Sequence, residues 1–360
     1  MELVNSTRMT AGYTIGMGPS GREHLVVVVK GTFAIPDDGG ALALASDQVP
    51  LVESDTFTGE PGLSAVVYES DFCLRKPRCD VLVVGSAHAP RGKPATRVRV
   101  GLRIGSLRKE FDVVGDRVWR RGLFGLRPSR PRAFTVMPIS YDRAYGGVDD
   151  SSPKKVASYL PNLVGVGFHP RRKRSAVRGL PVPNLEAPGR PVKRAKGKYP
   201  PLSFGPLPRN SPTRVAFAGT YDQAWLDETF PFLPRDFDER YFQAAPPDQQ
   251  IDHPQGGEEV QLLNLTAAGR TRFRLPALKV PVEFTNVAYA RTELEATLDT
   301  IVIEPDASRV LLSWRASQPL KRNVLEMVQV VVGRMNAGWY RARDLGKRYV
   351  TRPSQLEVAP

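Results

Sequence analysis

The stretch Gly16-Met17-Gly18-Pro19-Ser20-Gly21 matches the G-x-G-x-x-G spacing of a dinucleotide-binding turn. That chemistry needs a strand before the glycines and a helix after them, so that free N–H groups meet the pyrophosphate. Here a β-type run follows the glycines and Pro19 removes a donor, so the spacing predicts a hairpin turn. Neither a P-loop nor a G-x-S-x-G elbow occurs. His24, His88, His169 and His253 are scattered, and none pairs with Cys73 or Cys79 at a ligand spacing, so no metal site is expected. Both cysteines are expected to be packed or free thiols. The acid pairs Asp149/Asp150 and Asp236/Asp238 have the residue type for acid–base work, although exposed turns and helix caps are the commoner home of such pairs. No acid, base and nucleophile set is visible and no cofactor motif is found; turnover abolished by changing Asp222 or Asp236 would favour an enzyme.

The elements that must position any site read as β. LVVVVKGTFAI (25–35) and CDVLVVGSAH (79–88) are rich in β-branched residues. Val98, Val100, Leu102 and Ile104 alternate with Arg97, Arg99 and Arg103, the period of a half-buried strand with an arginine-bearing outer face. Gly105-Ser106 and Gly115-Asp116 both put Gly first, as a type II′ turn requires, so 96–119 is expected to be a three-stranded meander. TYDQAWLDETF (220–230) reads as a short helix with Thr220 as its N-cap and Pro231 ending it, and DFDERYFQAA (236–245) as a second. Pro305-Asp306-Ala307-Ser308 marks a hairpin, MVQVVVGR a further strand and NAGWYRARDLGKRY a terminal helix.

With 360 residues, 41% apolar and 24% charged, the chain can build a real core, and wholesale disorder is excluded. Its 31 Gly and 33 Pro exclude long helices as the main theme. The expected fold is mainly β: antiparallel sheets, sandwich- or barrel-like, with a few short helices and a long Pro/Gly-rich ordered excursion. Three regions are expected: an N-terminal β subdomain at 1–150, a basic connecting segment at 151–218 and a C-terminal subdomain at 219–360. Only 171–198 reads as mobile. No signal peptide and no membrane-spanning run is read, which leads to the expectation of a cytoplasmic protein.

The net charge of +14 is segregated. Residues 88–135 hold thirteen Lys/Arg against three acids and 165–200 hold ten against one, whereas 219–260 hold two against ten. The arginine face at 97–103 and the run Arg171, Arg172, Lys173 and Arg174 within the basic loop 171–198 are the residues a nucleic-acid binder would use, since Lys/Arg neutralise phosphate. No aromatic residue interleaves with 171–178, however, and single-stranded binders hold bases by stacking. The acidic region is different. Tyr221, Trp225, Phe230, Phe232, Phe237, Tyr241 and Phe242 crowd among acids and prolines, which suits a protein interface or the packing of this region's own core.

At these residues the chain resembles a bacterial family. KPRCDVLVVGSAHAP (76–90), YDRAYGG (141–147), PNLVGVGF (161–168), LPVPNLEAPG (180–189), GTYD…W (219–225) and LPRDFDERYFQAAPPDQQ (233–250) occur in that order. Together they resemble the type VI secretion effector adaptor/chaperone family, a domain of unknown function. Leu163 departs from the proline usual in that family, and the basic insertion at 171–178 is peculiar to this chain. The resemblance implies a non-enzymatic protein, with no cofactor, that holds an effector toxin or its PAAR-linked segment and aids its loading onto the VgrG spike. The contact residues expected on the chain's own features are Tyr221, Asp222, Trp225, Phe232, Asp236, Phe237 and Tyr241. A nucleic-acid-binding protein using the basic strand face and loop is the alternative.

Overall fold

Leu25 to Val29 are all fully buried, because this strand is covered on both faces. Leu25, Val27 and Val29 point into the main core, while Val26 and Val28 meet Leu74, Leu51, Phe72 and Phe242 on the other side. A continuous apolar run is the pattern such a strand requires. The computed structural model describes residues 1–37, 39–122 and 125–349.

The run belongs to Glu23–Ala34, which lies in a seven-stranded sheet. Across that sheet the order is Thr10–Met17, Glu23–Ala34, Arg309–Pro319, Thr297–Glu304, Cys79–Val83 and Gln250–Ile251, with Ala43–Leu44 pairing beside Glu23–Ala34. A five-stranded sheet runs Leu185–Glu186, Leu107–Val114, Arg97–Ile104, Glu259–Leu263, Arg270–Arg274. A four-stranded sheet runs Glu2–Asn5, Met327–Val332, Pro281–Asn286, Arg291–Glu295. One core joins these sheets, with Val98, Val100, Leu102 and Ile104 in the same buried cluster as Val27, Trp314, Phe284 and Val330. Among the described residues strands make up 38% and helices 12%, and no sheet closes into a barrel, so the mainly β expectation holds without its barrel-like form. The largest sheet draws strands from both the 1–150 and the 219–360 stretches.

Gly16–Gly21 is the hairpin turn joining Thr10–Met17 to Glu23–Ala34, closed by Gly18 N–H to Arg22 O at 2.9 Å. Pro305–Ser308 joins the Thr297–Glu304/Arg309–Pro319 hairpin. The meander expected at 96–119 stops at two strands. Gly105 takes a φ of +54° in the two-residue turn, as foreseen, but Arg117–Gly122 leaves the sheet to pair with Gly125–Pro128 and Pro181–Val182. At Gly115 the chain passes against the carbonyl of Arg132, which a Cβ would approach to 1.7 Å. Leu185–Glu186 takes the vacated place beside Leu107–Val114.

The Pro-rich excursion is ordered by its own contacts. Val177, Val182 and Val192 close around Trp119 as a second small core, so the mobility expected of 171–198 is not what the packing shows. Glu186, buried in LPVPNLEAPG, accepts from Arg97, Arg117 and the Val192 N–H at 2.7 to 2.8 Å. Among the described residues no helix is long and apolar enough to cross a membrane.

Candidate functional site

The acidic, aromatic stretch 211–242 forms a lobe tied down at its base and open at its tip. Arg214 is the anchor, 2% exposed, with its guanidinium on Glu69 at 2.6 Å and on the carbonyls of Leu207 and Tyr241 at 3.0 Å. The Tyr241 ring lies under it, 5.4 Å from ring centre to guanidinium carbon. Phe237, Tyr241 and Phe242 stack edge-on at 5.6 to 5.9 Å, and Phe242 packs on Val26 and Val28. Phe237 and Tyr241, expected as contact residues, are therefore half-buried supports at the base.

At the tip, the helix Gln223–Glu228 buries none of its residues. Its N-cap is Asp222, whose carboxylate accepts from the Trp225 N–H at 2.9 Å; Thr220, expected in that role, instead gives its N–H and hydroxyl to Asp236 at 2.9 and 2.7 Å. Asp wins the cap because its side chain reaches the N3 amide while Thr220 sits two residues too early. The Thr220 N–H and hydroxyl hold the Asp236 carboxyl below its usual range. Asp222 and Asp236 thus shape turns. Trp225 meets Tyr221 at 4.8 Å and Phe230 at 5.6 Å and donates its indole N–H to the Phe232 carbonyl at 2.9 Å. The Phe232 ring rests on the Gly21 turn.

Beside its exposed carboxylates the lobe leaves several large side chains outward. Phe230 is 63% exposed, Tyr221 55%, Leu226 52%, Val215 50% and Phe232 45%. Large side chains grouped and left in water on one excursion mark an interaction surface more often than scattered exposure does. Phe230, Leu226 and Val215 were not among the expected contacts. Phe230 lay within the aromatic crowding already noted, whereas the aliphatic pair carries no local signal, since exposure is decided by what the rest of the chain leaves uncovered.

The basic residues are largely committed elsewhere. Arg97 bridges Asp112 at 2.9 Å and Glu186 at 2.7 Å, and Arg99 binds Asp112. Arg103 stands on the outer sheet face in register with Arg108 and Gln261. Arg171 and Arg172 give their N–H groups to the buried Asp149 at 2.8 and 3.0 Å, and the Arg172 guanidinium meets Asp150 at 3.0 Å. Burial alone would raise the Asp149 carboxyl, but hydrogen bonds from Ser151, Arg171 and Arg172 outweigh it and hold the pKa at about 2. Lys173 and Arg174 are exposed.

A cleft of about 640 Å³ beside the lobe is lined by His24, Arg75, Lys76, Glu239, His253, Asp299 and Arg315. Its charges are paired: Lys76 with Asp80 at 2.8 Å, Arg315 with Asp299 at 2.6 Å and Arg75 with Glu239. Burial and the neighbouring Arg75 hold the His24 imidazole below its ordinary value. Among the described residues no three His, Cys, Asp or Glu side chains are grouped to hold a metal ion. Cys73 and Cys79 are free thiols, both pushed up by burial.

The stretches that carry the family resemblance meet inside the protein. Asp80 of KPRCD accepts from Gln243 Nε2 at 2.6 Å and the Ala244 N–H at 2.8 Å of YFQAAPPDQQ. Gln249 of the same stretch gives its amide to the carbonyls of Val81 and Phe204 and accepts from Lys109. Asn162 of PNLVGVGF donates to the carbonyls of Tyr141 and Tyr145 in YDRAYGG. No curated protein and no solved structure matches the chain. A model of the family described as "uncharacterized protein conserved in bacteria" (DUF2169) matches residues 20–315. With most of its length inside that match, the chain belongs to this conserved bacterial family.

Proposed function

We propose that this protein is a non-enzymatic adaptor/chaperone that holds a type VI secretion effector, or its PAAR-linked segment, and aids its loading onto the VgrG spike. The observation that carries the reading is the exposed apolar tip of the 211–242 lobe, held on a rigid base by Arg214. A cargo kept soluble before delivery needs its apolar surface covered, and a rigid aromatic patch covers it at low entropy cost. The carboxylates of Asp222, Asp227, Glu228 and Asp236 around the tip supply a polar rim. The type VI assignment itself rests on the six stretches of resemblance.

The test is co-purification with the effector encoded beside the gene. Changing Leu226 and Phe230 to Ser removes exposed apolar surface without touching the base, so the protein stays folded and effector recovery falls at least about tenfold, as loss of hot-spot contacts does. Undiminished recovery would refute the lobe as the contact. The nucleic-acid alternative is weakened by the internal pairing of Arg97, Arg99 and Arg172. Oligonucleotide affinity falling steeply with salt, with no effector recovered, would restore it.

A further inference from the structure

The seven-stranded sheet ends on one side at Thr10–Met17, and that edge is open along most of its length. Its pairing with Glu23–Ala34 follows one register, Thr10 opposite Lys30 through Met17 opposite Glu23. The turn bond from Gly18 N–H to Arg22 O identifies 18/22 as a hydrogen-bonded pair. Antiparallel ladders alternate, so Gly16, Thr14, Gly12 and Thr10 turn their backbone groups toward the neighbouring strand. Ala11, Tyr13, Ile15 and Met17 therefore turn theirs outward, and no partner for these groups is found among the described residues.

The same outward-bonding residues carry the exposed side chains. Tyr13 is 43% exposed, Ile15 45% and Met17 36%. Soluble proteins guard such edges with lysine, proline, a bulge or a covering loop. AGYTIGM contains no charge and no proline, and its register is unbroken. The opposite face is covered, since Gly12 and Gly16 pack against Leu51, Phe72 and Leu74.

We propose that Thr10–Met17 is an acceptor edge for an extended segment of a partner protein, apolar at alternate positions and carrying a carboxylate at each end. Main-chain hydrogen bonds to Ala11, Tyr13, Ile15 and Met17 supply the affinity, and their side chains supply the alternate pockets. The ends of the segment follow from charge. Arg8 precedes the strand and Arg22 lies in its turn, both exposed and neither in an ion pair among the described residues. A second copy of this chain is a poor occupant. Antiparallel self-pairing would bring Arg8 of one copy toward Arg22 of the other, and an edge this short falls below the roughly 1,200 to 2,000 Å² that a stable interface buries. The proposal does not rest on the adaptor reading, because its main-chain contacts are those of Thr10–Met17, although Phe232 of the lobe touches the adjoining turn.

The test uses the full chain and a labelled nine-residue peptide of alternating valine and threonine with a glutamate at each end. Saturable binding by fluorescence anisotropy is expected, with Ile15→Lys weakening it at least about tenfold while the thermal midpoint stays unchanged. The same peptide N-methylated at alternate amides, which keeps the side chains and removes the donors, should not bind. Hydrogen exchange at Tyr13, Ile15 and Met17 should slow on binding, with Thr14 already protected in the free protein. Reversing Arg8 and Arg22 to Glu should transfer preference to a lysine-ended peptide. No binding at about 1 mM peptide, far weaker than such modes give, overturns the proposal. Equal binding of the N-methylated peptide, or a concentration-dependent dimer abolished by Ile15→Lys, also overturns it.

Discussion

Replacing Asp80 with Asn isolates the contact on which two of the resembling stretches converge. Asp80 is fully buried and accepts three hydrogen bonds, from Lys76 Nζ at 2.8 Å, Gln243 Nε2 at 2.6 Å and the Ala244 N–H at 2.8 Å. Asparagine matches its shape but presents one amine in place of an oxygen, so one donor faces another whichever way the amide is turned. It also leaves the Lys76 ammonium buried beside a neutral group. Breaking one side of a buried pair costs about 3 to 5 kcal/mol, against total stabilities of about 5 to 15 kcal/mol. With a urea m-value of about 3 kcal/mol per M, the midpoint should fall by about 1 to 1.7 M.

The pH dependence supplies a second handle. In the native protein burial would lower the Lys76 pKa, but Asp80, joined by Cys73, Asp299 and Glu69, outweighs it and holds the ammonium above its ordinary 10.5. That contribution is complete below 10.5 and is lost only at higher pH, so the native midpoint is flat in this respect between about pH 7 and 9.5. In Asp80→Asn the largest opposing charge is gone, and burial, countered only by Asp299, Glu69 and Cys73, pushes Lys76 down from its native value. The folded state then binds fewer protons than the unfolded one, and stability rises with pH. The deficit should therefore narrow from about pH 7 to 9.5. A midpoint shift under about 0.3 M, or a deficit that widens with pH, would refute the account.

Gly115→Ala should be among the most damaging small substitutions, because the added Cβ would lie 1.7 Å from the Arg132 carbonyl, a backbone group with no rotamer to move; a thermal midpoint within about 2 °C of native would contradict the close approach. Asp149, held at about 2 against an ordinary 3.8, stabilises the fold fully above 3.8 and ceases to as pH falls through about 2. Pepsin cleavage between residues 150 and 172 should rise across that interval, and Asp149→Asn should be cut quickly already at about pH 4. Equal cleavage of the two proteins there would count against the turn that Asp149 holds.

Period, turn chemistry and charge segregation determined a good deal of this protein. The alternation at Val98–Ile104, the Gly16–Gly21 and Pro305–Ser308 turns and the β-rich composition are local properties, and local sterics settle them without reference to distant chain. Which strands become neighbours is a different matter. Arg117–Gly122 could have closed a meander by its turn residues alone, yet the pass against Arg132 and the arrival of Leu185–Glu186 from some seventy residues on decided otherwise. The arginines at 97 and 99 looked available until Asp112 and Glu186 folded against them. The aromatics of 221–242 were plain in the sequence, but their division into a packed base and a bare tip depends on what the remainder of the chain covers. Burial is a sum over the whole tertiary structure, so the chemistry of the surface could be read residue by residue, while its exposure could not.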